Sequence, residues 1–252
     1  MKAAAKVTAA ELGEEPYGSV LSYPKAAKAE VRRRLKELQR LGVEALEFGG
    51  EKEVFGFRVL GKGCVGIVVK AFVGGKKVAL KIRRVDADRL GMQHESEMLR
   101  KANSVCVGPE FLGVSKNFLI MKFVDGALLP QWLGRRLGKN LVKKVLREVL
   151  EQCWRMDEAG LDHGELSHAP KHVFVDEKNT PVIVDFETAS LNRRPSNVTS
   201  ICQYLFFSGD TAEKVAEKLG EEDENSIISA LKRYKHHRNR GNFEKVLAAC
   251  GL

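Results

Sequence analysis

The sequence is poor in cysteine, and its five copies lie far apart. Cys64, Cys106, Cys153, Cys202 and Cys250 follow one another at more than forty residues, with no Cys-x-x-Cys pair. That spacing excludes a zinc knuckle and a dense disulfide framework, and a reduced, cytoplasmic location is the expectation. Long hydrophobic runs are missing as well. No stretch approaches the roughly 18 apolar residues of a membrane span. The Ala-rich N-terminus is interrupted by Lys2, Lys6 and Glu11, unlike a signal peptide. No internal repeat is visible. Acidic residues fall short of basic ones, 33 against 42, which leaves a net charge of +9. Such a balance favours polyanionic partners: nucleic acid, nucleotide or an anionic surface. The rest is ordinary for a globular chain: 44% apolar and 30% charged residues argue against long disorder.

Residues 1–22 read as loosely structured, broken by Gly13, Pro16 and Gly18. A helix is predicted from Pro24 to Leu41, with Ser22 near its start and Gly42 at its stop. Val31, Leu35, Leu38 and Leu41 form its apolar side, while Lys28, Arg32, Lys36 and Arg40 recur at i, i+4 as a basic stripe. From Glu51 to Phe123 the pattern turns to strands, with Gly74-Gly75 as a hairpin turn and one helix over Arg89–Ala102. Beyond Gly126 helices dominate. Leu141, Val142, Val145, Leu146, Val149, Leu150 and Cys153 mark a well-buried one. The expected fold class is α+β. Residues 1–50 form an N-terminal extension with the basic helix, 51–124 a small β-rich lobe with one helix, and 125–252 a helical lobe.

Gly61-Lys62-Gly63-Cys64-Val65-Gly66 is a G-x-G-x-x-G. A dinucleotide-binding fold would place a helix directly after it. Here Ile67-Val68-Val69-Lys70 follows, so the glycines sit between two strands, where backbone N–H groups can approach phosphates without Cβ obstruction. Taken alone, this is also what a plain glycine-rich hairpin looks like. Downstream stand Val78-Ala79-Leu80-Lys81, then Glu95 and Glu97 on the predicted helix. His163-Gly164-Glu165-Leu166 and Asp185-Phe186-Glu187 follow, each beside a predicted strand.

In this order the motifs match the G-x-G-x-x-G-x-V, V-A-I-K, H-R-D-L and D-F-G set of protein kinases. The sequence resembles the atypical, small protein-kinase-like enzymes: Rio-type kinases, the small kinase of the KEOPS complex, and aminoglycoside kinases. The resemblance spans about Glu51 to Phe207. It implies a two-lobe protein-kinase-like fold and ATP-dependent phosphoryl transfer with Mg2+. It also implies roles. Gly61, Gly63 and Gly66 would cover the phosphates, and Val68, which completes the motif, would join the nucleotide-binding set. Lys81 would contact the phosphates, paired with Glu95, or with Glu97 as the fallback. The backbone from Lys122 through Phe123 to Val124 would face the adenine edge, and Met121 would sit at the back of the pocket. Asp185 would hold the metal. Glu165 would accept or orient the proton of the attacking hydroxyl, with Asp162 as the alternative carboxylate, and Lys171 could stabilise the transferring group.

The departures are equally legible. Glu165 replaces an Asp, and Pro170 stands five residues on, where kinases have a metal-binding Asn. His172 reaches that place only if the loop is longer by about two residues, and imidazole is a poor ligand for Mg2+. Glu165, Glu187 or solvent are the other options for the second metal ligand. His163, His168 and His172 invite a zinc reading, but their spacing is not a standard ligand pattern. No A-P-E follows Glu187, so an activation segment is not expected. The variant loop His163–Val173, with Asp185-Phe186-Glu187-Thr188-Ala189-Ser190, resembles an archaeal family of RNA kinases that phosphorylate a ribose 2′-hydroxyl in tRNA. That resemblance implies tRNA as a partner, with no membrane and no obligate protein partner. Two basic tracts are the candidate RNA footprint. One is Lys28, Arg32, Lys36 and Arg40; the other is Lys232, Arg233, Lys235, Arg238 and Arg240. Both also read as solvated helix faces, and Tyr234 within the second reads as a packing residue. A Rio-like Ser/Thr protein kinase and a non-catalytic binding module are the alternatives.

Overall fold

The chain folds as two units. The computed structural model describes residues 5–25, 27–207 and 209–252, so Lys2 of the N-terminus and Ala26 of the predicted basic helix lie outside the described residues.

The first unit comprises the chain up to Glu97 together with Glu110–Phe123. Its strands are β1 (Ala5–Thr8), β2 (Val43–Phe48), β3 (Lys52–Val54), β4 (Phe57–Val59), β5 (Gly61–Lys62), β6 (Gly66–Val73), β7 (Lys76–Arg83), β8 (Phe111–Val114) and β9 (Phe118–Lys122). They form an antiparallel sheet in the order β1-β2-β6-β7-β9-β8, with β5 also on β6 and β3–β4 as a separate hairpin. The β6–β7 turn is Gly74-Gly75, both at positive φ (+55° and +71°), the backbone a two-residue hairpin loop demands. Period-two alternation then sorts the two faces. Ile67, Val69 and Ala71 of β6 pair with Ile82, Leu80 and Val78 of β7, and all six are buried in one core cluster with Phe118 and Ile120 of β9. The opposite face carries Val68 against Lys81 and Ala79 against Met121.

The amino-terminal residues differ from expectation. Ala5–Thr8 and Val43–Phe48 pair with each other, and the second of these strands pairs with β6, so they extend the sheet. Residues 18–21 form a short helix, α1 (Gly18–Leu21), whose Val20 and Leu21 are buried. The basic helix, α2, is Lys28–Arg40. Pro24 lies before it, in a turn where Lys25 N–H donates to Ser22 O at 3.0 Å. The next helix, α3 (Gln93–Asn103), contributes its first residues to this unit and its remainder, from Met98, to the other.

The second unit comprises Met98–Pro109 and Val124–Leu252. Strands β10 (Gly126–Leu128), β11 (Val173–Asp176) and β12 (Pro181–Ile183) make a three-stranded antiparallel sheet. Its helices are α4 (Leu129–Leu133), α5 (Lys139–Glu158), α6 (Asn197–Phe206), α7 (Asp210–Leu219), α8 (Glu224–His236) and α9 (Arg240–Ala249). The long α5 buries Val142, Val145, Leu146, Val149, Leu150 and Cys153, the stripe legible in the sequence, and packs against α6, α7, α9 and β12. After Asp185 the chain reaches α6 within residues 186–196 and forms no further helix or strand on the way. Among the described residues, no helix is long and apolar enough to cross a membrane.

Candidate active site

In the first unit the glycine motif forms the β5–β6 hairpin. Gly61 pairs with Val68, and Gly63 N–H donates to Gly66 O at 2.8 Å. Arg84 pins the tip: its backbone N–H donates to Val65 O at 2.8 Å and its guanidinium to Gly63 O at 3.0 Å. Gly66 is required by packing. A Cβ there would meet Ile82 O at 3.0 Å and the Lys81 stem at 3.1 Å. Gly61 and Gly63 have room for a Cβ, at 3.6 Å from their nearest neighbours, so the fold itself does not demand glycine at either.

Lys81 is 6% exposed and its Nζ stands 2.9 Å from Glu95 Oε1. Burying an ammonium is costly unless a carboxylate compensates it. The Lys81–Glu95 pair meets that condition, and α3 presents Glu95 inward while Glu97 is exposed. Val68 and Met121 share the Lys81 face of the sheet, each half-buried. Phe123 follows β9, with Lys77 Nζ 5.2 Å and Lys70 Nζ 5.7 Å from its ring centroid.

In the second unit the loop from Leu161 to His172 is anchored from behind. Asn197, at the start of α6, accepts the His163 N–H at Oδ1 (2.8 Å) and donates from Nδ2 to Leu161 O (2.7 Å). Asp157 on α5 in turn accepts from Asn197 N–H (2.9 Å), Asn197 Nδ2 (2.8 Å) and the Tyr234 hydroxyl (2.9 Å). His163 is fully buried, donates from Nε2 to Val184 O at 3.1 Å and meets the Phe186 ring edge-on at 5.2 Å. Burial pushes its imidazole down to about 4, so it is neutral near pH 7. Asp162, the alternative base, is already committed: its carboxylate accepts from Arg193 Nε at 2.8 Å and Ser196 N–H at 3.2 Å.

Glu165, His172 and Asp185 come together. One ligand atom from each lies within 4.8 Å of the others. His172 Nε2 is 2.9 Å from Glu165 Oε2 and 3.8 Å from Asp185 Oδ2. The ring is 1% exposed, and neither nitrogen makes a well-aligned hydrogen bond, with Glu165 as its nearest polar neighbour. Burial lowers the His172 imidazole against the pull of both carboxylates, leaving a neutral ring with a lone pair. Asp185 holds φ at +71°, in the left-handed region that Asp and Asn enter more readily than other non-glycine residues. Two carboxylates and one unbonded imidazole nitrogen are a donor set that fits a divalent cation. Lys171 is exposed beside His172, and His168 is exposed and outside the cluster.

The basic tracts separate. Lys28, Arg32, Lys36 and Arg40 all lie exposed along α2. Lys36 and Arg40 open onto a groove of about 560 Å³ lined also by Arg33, Glu37 and Lys116. Of the second tract, Lys232, Arg233 and Lys235 are exposed. Arg240 is held by Glu151 in a bidentate pair (2.6 and 2.8 Å) and by Glu244, and it stacks on Trp154. Arg238 donates to Pro195 O. These two guanidiniums staple the second unit and are not spare phosphate binders. Tyr234 is buried on Asp157.

Sequence reasoning missed Arg34, Asn197, Asp157 and Lys116. Arg34 left a signal: with Val31 and Leu38 it falls on the i, i+3, i+7 positions that α2 buries, an odd place for a guanidinium. Its Nε donates to Glu30 at 2.6 Å, Nη1 to Leu21 O at 2.7 Å and to Arg83 O, and Nη2 to Asn117 Oδ1 at 3.1 Å.

A sequence model of the RIO domain matches residues 69–199, just over half of the chain. That span runs from β6 to α6 and contains Lys81, Glu95, Glu165, His172 and Asp185. No curated protein matches the chain. With a buried Lys–Glu pair in one unit, a metal-competent acidic loop in the other and the RIO match across both, the chain belongs to the RIO domain family, atypical members of the protein-kinase-like ATP phosphotransferases.

Proposed function

We propose that the protein transfers the γ-phosphate of ATP to an internal ribose 2′-hydroxyl of tRNA. The glycine hairpin and Lys81 would hold the nucleotide's phosphates. Gly61 and Gly63, which the fold does not require, support this role because the missing side chains would let phosphates approach the hairpin backbone closely. Asp185 and His172 would hold the divalent ion that offsets phosphate charge. Glu165 would orient the acceptor hydroxyl, and Lys171 would meet the transferring group.

The observation that carries the RNA acceptor is the α2 surface. Lys28, Arg32, Lys36 and Arg40 stand exposed in one row, and Lys116 joins Lys36 and Arg40 around the groove. Clustered cations in a concave surface suit a phosphate backbone. Lys232, Arg233 and Lys235 offer a second contact. The test is transfer from γ-labelled ATP to bulk tRNA, with generic protein acceptors in a parallel reaction. Label in tRNA that survives end-phosphatase treatment is the expected result. Label in protein alone would replace this reading with Ser/Thr protein phosphorylation, with which the RIO match is equally compatible.

A further inference from the structure

The donor set at the acidic loop contains a nitrogen, and that nitrogen has no protein hydrogen bond. We propose that Glu165, His172 and Asp185 form a mixed nitrogen–oxygen site that takes a manganese-class divalent ion in preference to magnesium. The inference rests on the phosphotransferase reading for the use of the ion, but the site itself stands on this loop alone.

The His172 ring is 1% exposed, and neither nitrogen has a well-aligned hydrogen-bond partner. Buried polar atoms of this kind are uncommon, because nothing replaces the water they lost. A cation at Nε2 would supply the missing partner. The neighbours fit that account. Glu165 Oε2 lies 2.9 Å away and Asp185 Oδ2 3.8 Å away, two acidic oxygens beside one imidazole nitrogen. Donors on adjacent corners of an octahedron with bonds of about 2.1 Å sit about 3 Å apart. The His172–Glu165 separation already has that span. Asp185, the third donor, has a left-handed backbone at φ +71°.

Donor chemistry then selects the ion. Magnesium takes oxygen ligands and retains water, and an imidazole adds little to its binding. Affinity for an imidazole-containing site climbs from manganese onward along the first transition row. Manganese also accepts carboxylate and phosphate oxygens in octahedral geometry. An oxygen-only set would favour neither ion in this way; His172 supplies the bias. Glu165 serves this site through Oε2, which leaves its other oxygen to orient an acceptor hydroxyl.

The test uses the full chain with ADP, Mn2+ and competing Mg2+. Pulsed electron paramagnetic resonance of bound Mn2+ reads nitrogen coupling directly. Wild type is expected to show coupling to one imidazole nitrogen, and His172→Asn to lose it. The ratio of Mn2+ to Mg2+ affinity, measured by titration, is expected to fall at least tenfold in that variant. Glu165→Gln is expected to weaken both ions while keeping the nitrogen coupling, which covers the case in which His172→Asn does not fold. Mn2+ that fails to bind, or binds without nitrogen coupling, overturns the proposal, as does an unchanged affinity ratio in folded His172→Asn. Phosphate transfer with Mg2+ but no nitrogen coupling would remove this inference and leave the phosphotransferase reading intact. A nitrogen-coupled site in a protein that transfers phosphate to no acceptor would do the reverse.

Discussion

Asn197 Oδ1 accepts the backbone N–H of His163 at 2.8 Å across thirty-four positions of chain. Through this bond the start of α6 holds the loop that carries Glu165, and Asp157 holds Asn197 in turn. Asn197→Ala leaves the His163 N–H and the Leu161 carbonyl buried without their partner. The expected loss is about 2–4 kcal/mol of stability, from two unsatisfied groups. Denaturant titration of variant and wild type measures it. A loss under about 0.5 kcal/mol would mean that water replaces the side chain.

Arg34 is expected to be the residue of α2 least tolerant of change. It is wholly buried and joins Glu30, Leu21, Arg83 and Asn117. Burial lowers its guanidinium against the support of Glu30, yet it stays charged at any working pH. Arg34→Ala removes the cation and strands several acceptors, so about 3–5 kcal/mol should be lost. Arg32→Ala, two residues away and exposed, should change stability by no more than about 0.5 kcal/mol. Thermal melts of the pair check the contrast.

Lys81 and Glu95 answer to activity. Lys81→Ala removes the buried cation from the sheet face it shares with Val68 and Met121 and is expected to lower transfer by roughly 10²–10³-fold or more, as for other lost charge-stabilising donors. Asp185→Ala is expected to do at least as much. Full transfer by either variant would show that these residues do not do the chemistry. Glu97→Ala, exposed and away from Lys81, should leave transfer unchanged.

RNA binding should follow the α2 row. Arg32→Glu with Lys36→Glu reverses two charges and is expected to weaken tRNA binding, with a shallower dependence on salt. Binding of ATP should be unaffected. Affinity for tRNA equal to that of wild type would remove α2 from the footprint. Arg240→Ala should instead act on stability, because Glu151 and Glu244 occupy its guanidinium.

Asp157 should give the stability of the second unit an unusual pH response. Burial holds its carboxyl above the ordinary 3.8, outweighing the hydrogen bonds from Asn197, Tyr234 and Val198. The folded state then keeps the proton to higher pH than the unfolded chain does. The contribution of this group to stability is therefore full below 3.8 and is lost as pH rises through the folded value. Other carboxylates add their own slopes, so the comparison is with Asp157→Asn. The stability of wild type relative to that variant should decline from about pH 3 upward until Asp157 ionises. A difference independent of pH would contradict the assignment.

The sequence by itself determined most elements beyond Glu51 and marked candidate positions for the chemistry. The strands around Ile67–Val69 and Val78–Ile82 were legible as apolar runs, although which side chains face the core and which share a face with Lys81 was not. The Gly74-Gly75 pair placed the turn between them, and the apolar stripe of α5 placed its buried side. These features are local: each depends on neighbours within a few residues and on the two periods of the backbone. Only the tertiary structure decided which carboxylate reaches Lys81, that Asp162 is spent on Arg193, that β1 and β2 complete the sheet, and that Arg240 is an internal staple. The same holds for the meeting of Glu165, His172 and Asp185 and for the burial of Arg34. Each of these joins groups whose approach depends on strand register, helix rotation and the packing of distant segments. A short sequence pattern records none of those, because a charged side chain looks alike in sequence whether it faces water or a partner many residues away.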